Sequence, residues 1–286
     1  MLQEIRDLGF EYAELSHGIR MGLLPGILEA VTAGEIKISS LHNFCPLPMG
    51  VNYAAPNLYQ FSAGRARERE LAERHTFKTF EFAERVRAPL VVLHSGSIDM
   101  KNYTDKLIDL VDRGEKETTR YKKLSAEATR KTEVKKEPFF ENTKATLKKI
   151  APDAEKRGIK LGIENRQSLE ELPLDADFPL LFKELDNPTF VYWHDTGHAQ
   201  IKENLGFLNH ARHLESLRDR LAGFHIHDVQ FAGKDHCAPG GGKVNFAALA
   251  PIIKPEHVKV FEFSPALSVN EVHQGVAHIK RLWGAC

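Results

Sequence analysis

The chain has 286 residues, of which 39 are basic, 39 are acidic and 42% are hydrophobic, so its formal net charge is zero. This length fits one large domain such as a (β/α) barrel, which takes ~250 residues. Proteins that work mainly by neutralising phosphates carry a basic excess, and membrane spans need ~20 apolar residues. The sequence has neither feature, which predicts no nucleic-acid partner and no membrane partner.

The amino terminus and the cysteines predict a cytoplasmic protein. Residues 1–7 are charged and lack the apolar stretch and small-residue cleavage site of a secretory signal. Cys45, Cys237 and Cys286 are odd in number and far apart, and they form neither a Cys-x-x-Cys pair nor a disulfide framework. We therefore expect inert thiols in a reducing compartment.

Seven short β-rich runs alternate with helical stretches along the chain. The runs are residues 10–16, 36–43, 89–95, 159–165, 189–195, 221–228 and 257–263. The run at 89–95 is almost continuously apolar, as expected of a strand buried on both faces of a parallel sheet. Helices are predicted at 2–8, 65–87, 142–156 and 268–283, with Gly9, Gly34 and Gly158 as C-caps and Ser268 with Glu271 as a capping box.

Repeated strand–helix units predict a parallel sheet and, over 1–286, a single (β/α)8 TIM barrel domain. Seven strands are one short of eight, and the chain opens on helix 2–8, which ought to follow a strand. We therefore expect a barrel that lacks its first strand in this sequence. An open doubly wound sheet is the alternative, but the Gly-rich turn it usually needs after an early strand is missing.

Two segments depart from this alternation. Residues 98–140 are rich in Lys, Glu, Thr and Arg and predict a charged helical insertion, interpreted as a solvated surface segment, with a lid or an oligomer contact as the alternative. Residues 231–243 form a Gly-rich loop that lacks the Gly-Lys-Ser/Thr of a phosphate-binding P-loop.

Polar residues stand at or near the carboxyl end of six of the predicted strands. They are His42, His94, Glu164, Asp195, His225 and Glu262. In a barrel these ends converge on one face, where active sites are built. A single histidine or glutamate at a strand end is usually a hydrogen-bonded or solvated residue. Several carboxylates in one cleft repel each other unless a cation joins them, so the set predicts a divalent metal site.

The motifs around these residues resemble the xylose isomerase-like TIM barrel superfamily, and specifically its sugar phosphate isomerase/epimerase group. The motifs are Ile163-Glu164-Asn165-Arg166, His194-Asp195-Thr196-Gly197-His198, His225-Ile226-His227-Asp228 and Phe261-Glu262-Phe263. The resemblance covers almost the whole chain apart from the charged insertion. In this order the motifs are specific for the superfamily but do not identify a substrate.

The resemblance implies one divalent metal ion held by Glu164, Asp195, His225 and Glu262. His225 is preferred to His227 because the family pattern is His-x-x-Asp, which His225 and Asp228 match. Three carboxylates and one imidazole suit Mn, Mg or Co, with Zn as a further candidate. The implied substrate-binding residues are His42, His94, Arg166, His198, His227 and His236. Arg166 has a structural ion pair as an equal alternative.

The implied reaction is sugar isomerisation or epimerisation by proton transfer through an enediolate. In such relatives the two glutamate positions carry the proton, which assigns Glu164 and Glu262 as catalytic acid–base residues. A small sugar or keto-polyol is the expected partner, whether free or phosphorylated, and a homo-oligomer is a candidate assembly.

Two other functions stay open. The superfamily contains zinc-dependent apurinic endonucleases, which use three metals, but Lys234 stands where their Asp-x-His loop has its aspartate. The charge balance also argues against that zinc phosphodiesterase. The second alternative is a non-catalytic barrel that binds a metal or polyol without turnover.

Overall fold

The computed structural model describes residues 1–284, so Cys286 lies outside the described residues. All seven predicted strands form, and they lie in one sheet whose order follows the chain. They are β1 (Tyr12–Leu15), β2 (Lys37–His42), β3 (Leu90–Leu93), β4 (Lys160–Glu164), β5 (Phe190–Asp195), β6 (Leu221–Ile226) and β9 (Val258–Phe261). A separate antiparallel hairpin comprises β7 (Asp228–Gln230) and β8 (Lys234–Cys237).

The registered pairs from β1 to β4, from β5 to β6 and from β6 to β9 are parallel. A doubly wound sheet reverses its strand order at a switch point, whereas this order never reverses. The sheet therefore contradicts the open doubly wound alternative and confirms the strand–helix alternation.

Helices connect the strands and agree with most of the predicted segments. They are α1 (Leu2–Asp7), α2 (Leu24–Thr32), α3 (Ala66–Arg85), α4 (Thr104–Asp112), α5 (Thr119–Lys156), α6 (Phe178–Leu185), α7 (Thr196–Asn204), α8 (His210–Ser216), α9 (Phe246–Leu249) and α10 (Val269–Trp283). Ser268 and Glu271 form the predicted capping box at the start of α10. Gly9, Gly34 and Gly158 have left-handed φ values of 88°, 71° and 68°, as expected of C-cap glycines.

The chain divides into two compact units. The first comprises residues 1–96, 138–164 and 181–191, and the second comprises residues 97–137, 165–180 and the chain from Tyr192 onward. In the first unit the apolar side chains of β2 to β4 are fully buried, among them Leu41, Val91 and Leu161. The single domain predicted for 1–286 stays a prediction.

The second unit contains a hydrophobic core that the sequence reading missed. Its buried members are Tyr103, Leu107, Leu110, Tyr121, Ala128, Ile201, Leu205 and Val229. The first five belong to the charged insertion, so this segment has a buried apolar face in addition to the solvated face that its charges predict. The apolar stripe that includes Leu107 and Leu110 was missed because Lys, Glu, Thr and Arg dominate the composition of residues 98–140.

The helix predicted at 142–156 is also wrong at its beginning. It is the end of α5, which starts at Thr119 and runs through Pro138. Proline removes one backbone hydrogen bond of a helix, so a proline in the sequence favours the prediction that a helix begins or ends there. In the structure the helix continues on both sides of Pro138, where Phe140, Leu147 and Ile150 are buried. No helix within residues 1–284 is long and apolar enough to span a membrane.

Candidate active site

In the first unit, the carboxyl ends of β2, β3 and β4 bring three predicted site residues together. His94 Nε2 lies 2.9 Å from Glu164 Oε2, and His42 Nε2 lies 3.8 Å from the same oxygen. At most 8% of each side chain is exposed. Ligand atoms of the three residues lie within 4.8 Å of one another, close enough to hold a metal ion.

The two imidazoles of this group are oriented by their Nδ1 atoms. His42 Nδ1 lies 2.9 Å from the carbonyl oxygen of Asn43, and His94 Nδ1 lies 2.9 Å from Oδ1 of Asn57. Because these oxygens only accept, each Nδ1 donates, and in the neutral rings Nε2 carries the lone pair. Two lone pairs that face one carboxylate repel it, and a cation or a proton between them removes the repulsion.

His17 belongs to the same surroundings and was missed in the sequence. Its ring packs edge-on against His42 with a centroid distance of 4.7 Å. It stands two residues beyond the end of β1. Like His42, His17 lies near the carboxyl end of a strand. The predicted strand ended at residue 16, so His17 was not among the predicted site residues.

In the second unit, three of the four predicted metal ligands come together. His225 Nδ1 lies 3.3 Å from Glu262 Oε2 and 3.9 Å from Asp195 Oδ2. His225 and Asp195 are buried, whereas 31% of the Glu262 side chain is exposed. These three residues, called the carboxylate cluster below, stand at the carboxyl ends of β5, β6 and β9. One imidazole nitrogen that faces two carboxylates is a donor arrangement typical of a divalent metal site.

Asp195 is held in place by hydrogen bonds to its backbone and its side chain. Its carboxylate accepts the His198 N–H at 2.7 Å and so caps α7. Its own N–H donates to Asn165 Oδ1 at 2.7 Å, and its carbonyl accepts from Asn165 Nδ2 at 3.0 Å. Asn165 directly follows Glu164 in the chain. Asn165 therefore positions Asp195, a role that its place in the motif Ile163-Glu164-Asn165-Arg166 does not predict.

His227 contacts Asp195 through one nitrogen and the β7–β8 hairpin through the other. Its Nε2 lies 3.1 Å from the Asp195 carboxylate, and its Nδ1 accepts the His236 N–H at 2.9 Å. Burial lowers the pKa of His227, but the Asp195 carboxylate outweighs it and raises that pKa. Because Nδ1 accepts the backbone N–H of His236, the ring carries its proton on Nε2, and Nε2 donates it to Asp195. A Cβ on Gly197 would overlap this ring, so only glycine fits there.

His198 is oriented in a similar way beside the same carboxylate. Its Nδ1 donates to the carbonyl of Asn165 at 3.0 Å and lies 3.5 Å from Asp195 Oδ2. In the neutral ring the lone pair is then on Nε2.

His236 and Asp235 form an ion pair on β8. His236 Nδ1 lies 3.0 Å from Asp235 Oδ1, and its Nε2 lies 3.9 Å from Glu262 Oε1. Burial lowers the pKa of His236, but the two carboxylates outweigh this effect and raise it to about 10. The His236 ring also stacks on His227 with a centroid distance of 4.3 Å. His227, His236 and Glu262 form another group that a metal ion could join.

Arg166 forms the structural ion pair that its alternative interpretation requires. Its Nε and Nη2 donate to Glu171 Oε1 at 3.2 and 3.1 Å. Glu171 Oε2 also accepts the Ser168 N–H at 3.0 Å, which closes the loop after β4. The substrate role of Arg166 stays a prediction.

The Gly-rich loop is organised by Asp228, which the sequence reading treated only as part of a motif. The Asp228 carboxylate accepts the N–H groups of Val229, Gly240, Gly242 and Val244 at 2.8 to 3.0 Å. A Cβ on Gly242 would overlap this carboxylate. A P-loop directs such N–H groups at a phosphate, whereas here a buried carboxylate occupies them.

Comparisons with known proteins agree with the fold. The sequence profile of the xylose isomerase-like TIM barrel family matches residues 2–266. A D-tagatose 3-epimerase-like protein has a TM-score of 0.70 at 18% identity, with 98% of this chain and 91% of that chain covered. None of the curated protein sequences matches this chain significantly.

Two further solved structures are similar over nearly the full length. A 3-keto-D-glucoside 4-epimerase from E. coli has a TM-score of 0.67 at 14% identity, with 98% of this chain and 92% of that chain covered. D-psicose 3-epimerase from Clostridium cellulolyticum H10, solved with D-tagatose, has a TM-score of 0.67 at 14% identity and coverages of 99% and 93%. At these identities the likeness shows a common fold. With the family profile, it confirms the predicted TIM barrel class.

Proposed function

Because the chain belongs to the xylose isomerase-like TIM barrel family, we propose that it is a divalent-metal-dependent isomerase or epimerase of a sugar or keto-polyol. The carboxylate cluster is the observation that carries this proposal, since its imidazole faces two carboxylates in a mostly buried position. Structural neighbours that are named as sugar epimerases support the same class of reaction.

Glu164, Asp195, His225 and Glu262 are the proposed ligands of one metal ion. The His225–Glu262 separation of 3.3 Å fits two donors on one ion, since bonds of ~2.1 Å place neighbouring donors ~3 Å apart. The pairing of Asn165 with Asp195 supports the inclusion of Glu164, its chain neighbour. Three carboxylates favour Mn, Mg or Co, with Zn as a further candidate.

When bound, the ion supplies Lewis-acid stabilisation of the negative charge that develops on the carbonyl oxygen of the substrate. Glu164 and Glu262 are the proposed proton carriers. One carboxylate removes the proton from the carbon beside the carbonyl, which gives an enediolate. The other carboxyl group returns a proton to the same carbon in an epimerisation. In an isomerisation the proton is returned to the former carbonyl carbon, and the hydroxyl proton of the first carbon moves to the former carbonyl oxygen.

The surroundings of the two glutamates suit these roles differently. Glu164 Oε2 faces His94 Nε2 at 2.9 Å in a buried position, so the imidazole can share a proton with it. Glu262 is the partly exposed member of the carboxylate cluster, which leaves it access to a substrate. His42, His94, Arg166, His198 and His236 are the proposed substrate contacts. His227 is proposed to act on substrate binding through Asp195 and the hairpin, because both of its nitrogens are engaged.

Solvent-hydrogen exchange tests the proposal directly. The metal-loaded protein is incubated in D2O with a panel of free and phosphorylated ketoses. We expect deuterium at the carbon next to the carbonyl together with formation of an isomer. An absence of label with every metal and every ketose would contradict the proposed reaction.

An apurinic endonuclease-like zinc phosphodiesterase is the second candidate. The groups His42–His94–Glu164 and His227–His236–Glu262 favour it, because such enzymes bind three metals. Lys234 at the expected aspartate and the zero net charge argue against it. Three zinc ions per chain and salt-dependent cleavage of abasic duplex DNA would support the endonuclease. One ion per chain and turnover of a ketose would exclude it.

A non-catalytic metal- or polyol-binding barrel is the third candidate. Calorimetric binding of a ketose without deuterium incorporation would favour it over both enzymes. The compartment and assembly also remain proposals. Cys45 and Cys237 are free, buried thiols, as a reducing cytoplasm allows, and a homo-oligomer is testable by light scattering.

A further inference from the structure

The charged insertion contains a helix whose beginning is bound to the loop after β4. Glu170 in that loop is 8% exposed, and its carboxylate accepts the N–H groups of Tyr103 and Thr104 at 2.6 and 3.3 Å. The Thr104 hydroxyl donates to Glu170 at 2.7 Å and accepts the Leu169 N–H at 2.9 Å. A carboxylate at a helix amino terminus satisfies unpaired N–H groups and interacts favourably with the helix dipole.

Backbone contacts extend this attachment. The Ile98 N–H donates to the Glu170 carbonyl at 2.8 Å, and Ser97 forms an antiparallel bridge with Glu171. The segment before α4 and the loop at 165–172 are therefore joined by main chain as well as by side chains. A helix held only by its charged surface would show neither kind of contact.

The other end of the same helix is bound to the β7–β8 hairpin. Asp112 Oδ1 accepts the Ala232 N–H at 2.9 Å. Ile108 lies against Gly233 so closely that a Cβ on this glycine would approach it to 2.8 Å. Between the two ends, Leu107 and Leu110 are buried in the same core as Val229 of the hairpin.

Both attached loops carry predicted site residues. The loop at 165–172 contains Arg166 in its ion pair with Glu171. The hairpin contains His236, whose N–H donates to His227 Nδ1, and His227 in turn donates to Asp195. A continuous set of contacts therefore leads from α4 through the hairpin to a proposed metal ligand.

We propose that residues 97–113, called the brace, hold the loop at 165–172 and the β7–β8 hairpin in the geometry that binds substrate. Glu170 and Asp112 are then positioning residues for the reaction. This inference rests on the proposed function and deepens it, since it assigns the insertion to substrate binding. The brace acts on loops that bear substrate contacts, so its loss weakens substrate binding more than the chemical step.

The test compares Glu170→Gln and Asp112→Asn with the control Asp109→Asn. Asp109 lies on the same helix, but its carboxylate is half exposed and pairs with Arg113, the residue that follows α4. Kinetics with a turned-over ketose, metal content and hydrogen exchange are measured for all three. We expect KM to rise about tenfold in Glu170→Gln and about threefold in Asp112→Asn, with kcat within threefold and metal content unchanged.

Hydrogen exchange distinguishes the brace from a general loss of stability. Glu170→Gln should speed exchange at 165–172, and Asp112→Asn should speed it at 228–237, while the control changes neither. Exchange that rises only within α4, or a KM equal to that of the control, would overturn the brace. Asp112→Asn is the milder change, so it keeps the test valid if Glu170→Gln does not fold. If the wild-type protein turns over no ketose, the proposed function is contradicted. The hydrogen-exchange rates at 165–172 and 228–237 in the two variants still show whether the brace holds these segments.

Discussion

Two buried clusters in the second unit use the same residue type in opposite surroundings. In the carboxylate cluster and the adjacent hairpin, every histidine has an acidic neighbour. The other cluster, called the histidine chain, comprises Tyr192, His194, His210 and His213, and its side chains bond mainly to one another. His194 Nδ1 and His213 Nε2 lie 2.8 and 3.0 Å from the Tyr192 hydroxyl, and His194 Nε2 lies 2.8 Å from His210 Nε2.

The histidine chain is neutral throughout. Gln200 uses its amide nitrogen to donate to Glu203 and Asn204, so its oxygen accepts from His210 Nδ1. His210 Nε2 must then accept from His194, His194 Nδ1 must accept from the Tyr192 hydroxyl, and that oxygen accepts from His213. Each ring donates once within this line. Burial lowers the pKa of His210 to about 3 and that of His213 to about 4.

The difference shows that carboxylates in direct hydrogen-bonding contact can outweigh burial, whereas Asp175, at 3.8 Å from His213 Nε2, does not. His236, which is partly buried beside Asp235 and Glu262, has its pKa raised to about 10. The neutral line of imidazoles stabilises the fold around β5 and α8, whereas the charged group can bind a cation or a polar substrate. Mutations should therefore separate the two clusters into one that sets activity and one that sets stability.

The largest expected effect is on the proposed proton carriers. Glu164→Gln and Glu262→Gln should each lower the rate of isomer formation by a factor of ~10³ or more, because a carboxamide cannot carry the proton. The fold should remain largely intact by circular dichroism. Deuterium incorporation into a ketose measures the rate, and Glu81→Gln, an exposed glutamate on α3, serves as the control. Wild-type rates in either variant would remove the proposed mechanism.

Asp195→Ala should lower metal content, because it deletes one of four proposed ligands. Loss of a ligand reduces affinity by more than the 10–100-fold typical of a residue that only supports a ligand. Since Asp195 also caps α7, the matched control is Asn209→Ala, which removes the cap of α8 alone. Elemental analysis after dialysis measures the metal. An unchanged stoichiometry in Asp195→Ala would contradict its assignment as a ligand.

The histidine chain should make the protein sensitive to mild acid. The folded pKa values of His210 and His213 lie below the ordinary value of 6.5, so below pH 6.5 the unfolded chain binds more protons. The contribution of these histidines to the free energy of unfolding therefore has its full value above pH 6.5 and falls as the pH drops toward 4. His210 and His213 each contribute ~1.4 kcal/mol per pH unit in this window, so these two groups alone account for a loss of about 4 kcal/mol by pH 5.

Urea unfolding at pH 7, 6 and 5 measures this slope. His210→Gln should lower this slope by ~1.4 kcal/mol per pH unit, whereas His273→Gln, at an exposed position of α10, should leave it unchanged. A slope that is the same in all three proteins would assign the acid sensitivity to other groups.

The smallest expected effect belongs to Tyr192→Phe. Loss of the hydroxyl leaves the nitrogens of His194 and His213 without this partner, which costs ~1–3 kcal/mol of stability at pH 7. Metal content and isomerisation rate should stay within twofold, because the hydroxyl touches none of the proposed ligands. A large loss of activity at unchanged stability would place the histidine chain in the catalytic machinery.

Local patterns predicted the parts of the molecule that depend on neighbours in sequence. The apolar runs located all seven strands of the main sheet to within two residues, and the Ser268–Glu271 spacing located the start of α10. Strand ends located His225, Asp195 and Glu262, which the structure brings together. These predictions succeeded because strand periodicity and helix caps are encoded within a few residues.

Features that depend on distant residues were missed or misplaced. The β7–β8 hairpin was interpreted as part of a loop, because its strands are only three and four residues long. The loop after it is ordered by the distant carboxylate of Asp228, which reaches as far as Val244. The role of Glu170 was missed because its partners Tyr103 and Thr104 lie more than sixty residues away. Neither contact leaves a periodic signal in the sequence.

From its amino acids alone, this protein is recognisable as a parallel strand–helix repeat with acidic and imidazole side chains at the strand ends, because side-chain polarity and backbone preference act over short distances. Tertiary contacts alone decide which histidine side chain hydrogen-bonds to a carboxylate, which one hydrogen-bonds mainly to other rings, and which part of the charged insertion is buried. A charge or a hydrogen bond acts on whatever lies within a few ångströms in space, and chain order does not specify those neighbours.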